Sequence, residues 1–200
     1  MVITSTEERK KSLTALYIDG EYAVSVDTMT FLSTGKKVGS EITDEELYEL
    51  IETSKYNRAK EKALYLIEYR SRTKRELYDK LIVLFGESAT KRAIKRLEEL
   101  GLIDDEKYAR EYAEVLLNKK GFSRQRAEFE LMKKGIDKDV IEEILDELEP
   151  EPVEQIRKLL QTKFARRLSN EKDLSKTVNA LKAMGYRWSD INEAINSEWD

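Results

Sequence analysis

Short runs of β-forming residues mark the start of the chain. Residues 13–26 read LTALYI-DG-EYAVSV, in which two such runs flank Asp19 and Gly20. The Asp-Gly pair favours a type I′ turn, because both central residues of that turn have positive φ. The pattern predicts a β-hairpin, which needs a further strand or a helix to cover it because two strands alone are marginally stable.

From Thr43 onward, apolar residues recur three and four positions apart, which is typical of amphipathic helices. Thr43 with Glu46, and Thr73 with Glu76, form two sequences of the capping-box type, in which a hydroxyl and a carboxylate each satisfy a free backbone N–H. The first helix is predicted on Leu47, Leu50 and Ile51, a second over about residues 57–69, and a third on Leu77, Leu81 and Leu84. Gly86 is predicted to end the third helix.

The apolar positions, glycines and caps repeat when the chain is shifted by 50 residues. Leu131, Gly135 and Ile141 have identical residues 50 positions later, and Ala113 and Leu131 have identical residues 50 positions earlier. Each unit consists of a helix before a basic turn, a capped second helix, a glycine and a third helix. Such a unit is too small to bury its own apolar face, so neighbouring units are expected to stack.

These patterns predict a mainly α protein. We expect three tandem three-helix repeats in an elongated curved array, preceded by a small β-hairpin and a helix. The predicted boundaries are 1–56 for this extension and 57–103, 104–149 and 150–200 for the three repeats. Pro150 and Pro152 mark the last boundary.

The composition excludes much catalytic chemistry. The chain has 200 residues, 38% of them charged, with a net charge of −4 and neither cysteine nor histidine. Disulfides, thiol nucleophiles, Cys/His zinc sites and Ser-His-Asp triads are therefore impossible. We predict a protein that is not an enzyme and needs no metal or cofactor. No apolar run approaches the roughly 20 residues that span a bilayer, and no signal peptide is evident, so a cytoplasmic location is expected.

Charge is distributed unevenly along the chain. Three runs contain bases and no acid: residues 70–75, residues 119–126 and residues 157–167. Residues 137–151, in contrast, hold eight acids and one lysine. A single run of this kind is most often a solvated helix face. Three acid-free basic runs in an acidic protein favour a binding role instead.

The candidate binding residues lie around the predicted second helices of the repeats. They are Arg70, Arg72, Lys74, Arg75, Lys119, Lys120, Arg124, Arg126, Lys133, Lys134, Lys163, Arg166 and Arg167. A helix start that carries arginines suits phosphate, and arginine forks equally suit the carboxylates of a protein partner. Four aromatic residues near turns, Tyr69, Phe122, Tyr186 and Trp188, suit base stacking or, more commonly, packing between repeats.

The acidic residues are predicted to have structural or solvated roles. Asp104 and Asp105 stand between a glycine turn and an apolar helix, so we expect a helix cap and first-turn acids rather than metal ligands. Glu142, Glu143, Asp146 and Glu147 predict a solvated or partner-facing ridge.

Four segments resemble the RecX regulatory proteins of bacteria. They are AxxxxxYRxRTxxEL at residues 63–77, LxxLGLIDDxxYA at 97–109, ELxxKGI at 130–136 and LxxMGYRWSDI at 181–191. The hairpin and helix before the repeats resemble the form of the family that is common in Gram-positive bacteria. The resemblance implies three tandem three-helix repeats, a role as a modulator of the RecA recombinase, and no catalysis.

The expected partner is therefore the RecA–DNA filament. An elongated array lying along the filament groove would bridge successive subunits and inhibit ATP hydrolysis and strand exchange. Single-stranded or duplex DNA alone is expected to bind weakly and in a salt-dependent manner, because the net charge is negative. We expect a monomer without membrane contacts. Two alternatives remain open, a stand-alone helical DNA-binding module and a scaffold that binds only protein.

Overall fold

The N-terminal segment folds into a three-stranded antiparallel sheet of order β1-β2-β3, in a computed structural model that describes residues 1–148, 151–165 and 171–196. The strands are β1 (Ile3–Arg9), β2 (Leu13–Ile18) and β3 (Glu21–Asp27). β2 and β3 form the predicted hairpin, with φ of 51° at Asp19 and 91° at Gly20. The prediction omitted β1, because its sequence ITSTEER is polar and buries only Ile3. The extension is thus a sheet rather than a hairpin.

A short helix and the start of a long one provide the apolar cover that the sheet needs. Helix α1 (Thr28–Ser33) follows β3, with the Asp27 carboxylate accepting from the Thr30 N–H at its start. Helix α2 (Asp44–Tyr69) begins at Thr43, and the predicted capping box with Glu46 is present. The core here comprises Ile3, Leu16, Ile18, Val26, Phe31, Ile42 and Leu50.

Helix α2 is one continuous helix of 26 residues, so the predicted separation into two helices is wrong. No glycine or proline stands between residues 44 and 69, and nothing in the sequence ends the first helical run. The predicted boundary at residue 56 falls inside α2. Leu50 is buried against the sheet, and Ala63 is buried against the next two helices.

The first repeat consists of the second half of α2 with helices α3 (Lys74–Phe85) and α4 (Glu87–Glu99). Its core contains Ala63, Leu77, Leu81, Ile94, Leu97 and Ile103. Leu84 was predicted on the apolar face of α3 together with Leu77 and Leu81. It lies outside the core, because it is 61% exposed. Gly86 ends α3 with a φ of 78°, as predicted. A compact unit formed by residues 1–104 contains the sheet and this repeat.

The second compact unit begins at Asp105 and contains two more three-helix repeats. The second repeat has α5 (Asp105–Glu114), a π-helical turn (Val115–Lys119), α6 (Arg124–Lys133) and α7 (Lys138–Leu148). The third has α8 (Pro152–Gln161), α9 (Glu171–Ala183) and α10 (Trp188–Asn196). The prediction of a mainly helical chain with tandem three-helix repeats after a small β extension is confirmed. None of the helices among the described residues is both long and apolar enough to cross a membrane.

Candidate basic interaction surface

The first basic turn (residues 69–76) uses its arginines to hold its own backbone. Arg70 binds Glu76 through two contacts, Nη2 to Oε1 at 3.1 Å and Nη1 to Oε2 at 3.2 Å. Arg72 Nε donates to the carbonyl of Leu66 at 3.0 Å, near the end of α2. Thr73 caps α3, as predicted, by accepting from the N–H of Glu76. Both arginines therefore contribute to the conformation of the turn.

Lys74 and Arg75, also predicted as binding residues, form ion pairs within the first repeat. Lys74 Nζ lies 2.9 Å from Glu98 Oε1, which joins the start of α3 to the end of α4. Arg75 Nε lies 3.1 Å from Asp79 Oδ1, one turn along α3. These side chains are between 41% and 65% exposed, so such pairs contribute about 1 kcal/mol or less to stability. An external anion competes with them at little cost.

The second basic turn (residues 119–126) carries a different charge arrangement. The shift of 50 residues places Lys120 at the position of Arg70 and Arg126 at the position of Glu76. A base thus replaces the acid of the first turn. Lys120 Nζ and Arg126 Cζ lie 5.5 Å and 5.6 Å from the centroid of the Phe122 ring. The positive charge of this turn is therefore arranged around an aromatic ring.

The cations and rings continue along α6. Arg126 Cζ also lies 5.6 Å from the centroid of the Phe129 ring, and Lys133 Nζ lies 4.3 Å from the same centroid. Arg126 pairs with Glu130 at 2.8 Å through Nη2. Lys120, Lys133 and the exposed Lys119 have no acidic partner within 4.0 Å among the described residues. We call Lys120, Phe122, Arg126, Phe129 and Lys133 the cation–aromatic ladder.

Arg124, in contrast, forms an ion pair within its repeat, as its counterpart Lys74 does. Its Nη2 lies 2.6 Å from Asp146 Oδ1, which joins the start of α6 to α7. Arg110 of α5 binds Glu147, and this hydrogen bond raises the pKa of the Arg110 guanidinium. The acidic ridge predicted on residues 142–147 is exposed. Glu142 pairs with Lys138 at 3.3 Å, so three of its carboxylates pair with bases of their own repeat.

Three hydrogen bonds join the second basic turn and the π-helical turn before it to the third repeat. Gln155 Nε2 donates to the Leu117 carbonyl (2.9 Å), the Tyr186 hydroxyl donates to the Gly121 carbonyl (3.1 Å), and the Ser123 N–H donates to the Met184 carbonyl (3.0 Å). The turn joins two helix ends, where backbone groups lack helical partners. The third repeat therefore satisfies backbone groups that the second repeat leaves unpaired.

Two glycines allow this close approach. A Cβ at Gly185 would lie 2.4 Å from Ser123 Oγ and 2.8 Å from Arg126 Cβ. A Cβ at Gly121 would lie 2.6 Å from Leu159 Cδ2. Tyr186 is buried, which raises the pKa of its phenol, so the hydroxyl stays protonated and remains a donor to Gly121. Tyr186 thus packs between repeats, as one of its two predicted roles requires.

The other predicted residues have varied surroundings. Lys134 Nζ lies 5.7 Å from the centroid of the Tyr112 ring, and Lys163 Nζ lies 5.9 Å from that of Phe164. Arg166 and Arg167 lie outside the described residues. Tyr69 is 81% exposed and Trp188 is 56% exposed. Phe122 is half-buried and packs against the cores of both the second and the third repeat.

The sequence prediction missed a groove between α6 and the α9–α10 turn. Arg126, Phe129, Met132 and Lys182 line this groove, which has a volume of about 470 Å³. The Phe129 and Met132 side chains are 44% and 46% exposed. Lys182 Nζ lies 4.9 Å from the centroid of the Trp188 ring. The spacing of Arg126, Phe129 and Lys133 places them on one helical face, and this is the sequence signal from which part of the groove could have been predicted.

Within the ranges that the structure describes, no group of three or more acidic side chains is placed to hold a metal ion. The groups that this surface exposes are cations and aromatic rings. Exposed cations attract phosphate or carboxylate, and exposed rings stack with other flat apolar groups.

Comparison with known proteins identifies related chains. A family model described as the first three-helix domain of RecX matches residues 59–97, and one described as the second three-helix domain of RecX matches residues 104–145. "Regulatory protein RecX" of Caldanaerobacter subterraneus subsp. tengcongensis is 32% identical over 98% of this chain and 99% of its own length. "Regulatory protein RecX" of Clostridium tetani is 32% identical over 95% of this chain and 90% of its own.

Two solved structures have a similar fold. One, described as the crystal structure of regulatory protein RecX, superposes with a TM-score of 0.64 at 22% identity and covers 98% of both chains. The crystal structure of RecX from Lactobacillus salivarius superposes with a TM-score of 0.58 at 24% identity, over 72% of this chain and 97% of that one.

Proposed function

This chain belongs to the RecX family of regulatory proteins, and from that premise we propose that it regulates the RecA recombinase without catalysing a reaction. It binds along the groove of the RecA–DNA filament and inhibits ATP hydrolysis and strand exchange. It acts in the cytoplasm as a monomer, with no cofactor, metal or membrane contact.

The observation that carries this proposal is the uneven pairing of charge in the two basic turns. Among the predicted binding residues, Arg70, Lys74, Arg75 and Arg124 form ion pairs inside their own repeats. The ladder and Lys119, in contrast, present positive charge with a single acidic partner, Glu130 of Arg126, among the described residues. We therefore assign the main contact with the filament to Lys119, Lys120, Arg126 and Lys133.

Magnitudes favour a filament over bare DNA as the partner. A chain with a net charge of −4 is repelled by DNA at long range, and the roughly four phosphates that this surface neutralises give weak, salt-sensitive binding. A filament offers phosphate together with acidic protein groups. It also repeats its binding sites, so that contacts that are weak one by one combine into a strong attachment. Such an attachment blocks the groove and resists the subunit motions of ATP turnover.

The remaining predicted residues, Arg70, Arg72, Lys74, Arg75, Arg124, Lys134 and Lys163, support the contact in a secondary role. Arg70, Lys74, Arg75 and Arg124 exchange the internal carboxylates of their ion pairs for carboxylates on the filament at little net cost. Arg166 and Arg167 belong to the same proposal through their sequence alone.

ATP hydrolysis by RecA on single-stranded DNA tests the proposed function. Amounts of this protein well below one molecule per RecA subunit are expected to inhibit hydrolysis, and added salt is expected to weaken the inhibition. No inhibition, even with excess protein at low salt, contradicts the proposal. Tight binding to duplex DNA without RecA favours a DNA-binding module, and salt-insensitive binding to the filament favours a protein-only scaffold.

A further inference from the structure

The groove between α6 and the α9–α10 turn combines features that binding through charge alone does not need. Arg126 and Lys182 supply cations, and Phe129 and Met132 supply exposed apolar surface inside a concave wall. Large apolar side chains exposed together on a soluble protein commonly mark an interaction site. Trp188, more than half exposed, adjoins this wall through its contact with Lys182.

We infer that this groove is a stacking site for unpaired nucleobases of single-stranded nucleic acid. One base stacks on Phe129, a neighbouring base stacks on Trp188, and Arg126, Lys133 and Lys182 neutralise the phosphates between them. The inference goes beyond the proposed function, because it concerns recognition of base faces and needs no RecA.

The ligand is single-stranded because a base must expose its flat face to stack on a side chain. In a duplex, neighbouring base pairs cover both faces of each base. Base–aromatic stacking tolerates any sequence, since every base has a π-face. A site of this kind therefore binds oligothymidylate, discriminates against duplex and does not read sequence.

The lysine near the Phe129 ring does not prevent stacking. Lys133 Nζ lies 4.3 Å from the ring centroid and has no acidic partner among the described residues. An exposed cation–π contact is weaker than a base–aromatic stack, so a base displaces the ammonium from the ring. The released ammonium is then free to pair with a backbone phosphate.

A nucleic acid fits the groove better than an acidic peptide does. Carboxylates pair with the cations but leave the apolar faces of Phe129, Met132 and Trp188 in water. A nucleotide covers the rings and neutralises the cations together. Glu128 lines the same groove and opposes any anion, so it lowers the affinity for both kinds of ligand.

Trp188 reports the binding directly. The chain has two tryptophans, and the substitution Trp199→Phe leaves Trp188 as the only emitter. The full-length variant is titrated with an oligothymidylate of about 15 nucleotides, an abasic oligomer with the same number of phosphates, and a duplex of equal length. We expect oligothymidylate to quench the emission and to bind about tenfold more tightly than the abasic oligomer.

A matched pair of substitutions assigns the effect to the groove. Phe129→Leu keeps apolar bulk but removes the ring, and it is expected to weaken oligothymidylate binding about fivefold while leaving abasic binding unchanged. Tyr65→Leu is the control, because Tyr65 is also exposed (61%) and lies under Lys62 Nζ at 4.7 Å, but in the first compact unit. It is expected to change nothing. Far-UV circular dichroism and the melting temperature verify folding.

Three results would overturn the inference. Equal affinity for the abasic oligomer and oligothymidylate shows a site that recognises charge only. An unchanged affinity in folded Phe129→Leu shows that the ring does not contact bases. Equal affinity of poly-glutamate and oligothymidylate shows an acidic-protein site. Each of these results leaves inhibition of RecA to be judged separately by ATP hydrolysis.

Discussion

The first and second basic turns occupy equivalent positions in neighbouring repeats, yet their charges are arranged differently. In the first, Arg70 binds Glu76. In the second, Lys120 and Arg126 stand at those two positions, and both lie near the Phe122 ring. Equivalent positions of the repeat thus differ in their electrostatics. On the proposed function, partner binding follows the charge left without an internal partner, not the number of basic residues in a turn.

The backbone of the two turns is satisfied by different means as well. The carbonyl of Leu66 accepts from the Arg72 guanidinium, whereas its counterpart Leu116 accepts from the backbone N–H of Phe122. Arg72 and Phe122 are themselves counterparts under the shift of 50 residues. The second turn therefore needs no arginine to complete it. Its residue at that position is an aromatic ring that packs against both repeat cores of its unit.

The largest effect is expected at the close contact of the second turn with the third repeat. Gly185→Ala places a methyl group within 2.8 Å of Arg126 Cβ at a positive φ, and should cost about 2–4 kcal/mol of unfolding free energy. Gly101→Ala is the control, since Gly101 has a positive φ and no atom within 4 Å of the new methyl group. It should cost about 1 kcal/mol. Urea unfolding measures both, and equal costs would contradict the close packing.

The next largest effect is expected where a side chain donates a hydrogen bond to a backbone carbonyl, Gln155 in the second compact unit and Arg72 in the first. Gln155→Leu leaves the buried Leu117 carbonyl without its donor, and should cost about 1–3 kcal/mol. Arg72→Met removes the donor to the Leu66 carbonyl, but Leu66 is only half-buried, so water replaces the guanidinium and the cost should be about 1 kcal/mol. Urea unfolding again provides the measurement. A larger cost for Arg72→Met would reverse the comparison.

A third substitution gives the first turn the charges of the second. Glu76→Arg removes the partner of Arg70 and adds positive charge, and should raise affinity for the RecA filament about three- to tenfold at low salt. The Arg70 side chain is 44% exposed and that of Glu76 only 17%, and Glu76 is the acid in the first turn of α3, so unfolding free energy should fall by about 1–2 kcal/mol. Co-sedimentation with filaments measures the affinity. The control is Glu98→Gln, which breaks the Lys74 pair, adds no base and raises the net charge by one rather than two. Unchanged or weaker binding by Glu76→Arg would show that charge at this position is irrelevant.

The smallest effect is a pH dependence of the contact between Tyr186 and the second turn. Burial raises the folded-state pKa of Tyr186, so the stabilisation is fully present below the unfolded-state pKa of about 10 and is lost as pH rises above it. The stability advantage of the wild type over Tyr186→Phe should therefore shrink by about 0.8 kcal/mol between pH 8 and 10.5. Unfolding free energies at both pH values provide the measurement. A constant advantage would mean that the phenol titrates alike in both states.

Local sequence signals predicted much of the fold. Asp19-Gly20, the Thr43 cap and Gly86 each specify a backbone conformation within a few residues, and each occurs as predicted. The repeat of 50 residues gave the three-helix units. Strand β1 was missed, because a polar edge strand depends on tertiary packing rather than on a local pattern. The continuity of α2 was missed although no glycine or proline interrupts residues 44–69.

The site was less predictable than the fold. The basic turns were evident as acid-free runs, but the pairing of Arg70 with Glu76 and of Arg124 with Asp146 joins residues 6 and 22 positions apart. Phe129 was missed because its exposure depends on how α6 packs. The contacts of Gln155 and Tyr186 with the second turn span 38 and 65 residues, which no local pattern reports.

The most direct test of the central claim is the inhibition of RecA ATP hydrolysis by two charge-removal variants. Lys119→Gln with Lys120→Gln alters the second turn, and Arg70→Gln with Arg75→Gln removes the same charge from the first. We expect the second-turn variant to need at least about tenfold more protein for half-inhibition, and the first-turn variant less than about threefold more. Equal losses in the two variants, or a larger loss in the first-turn variant, would contradict the assignment of the filament contact to the second turn.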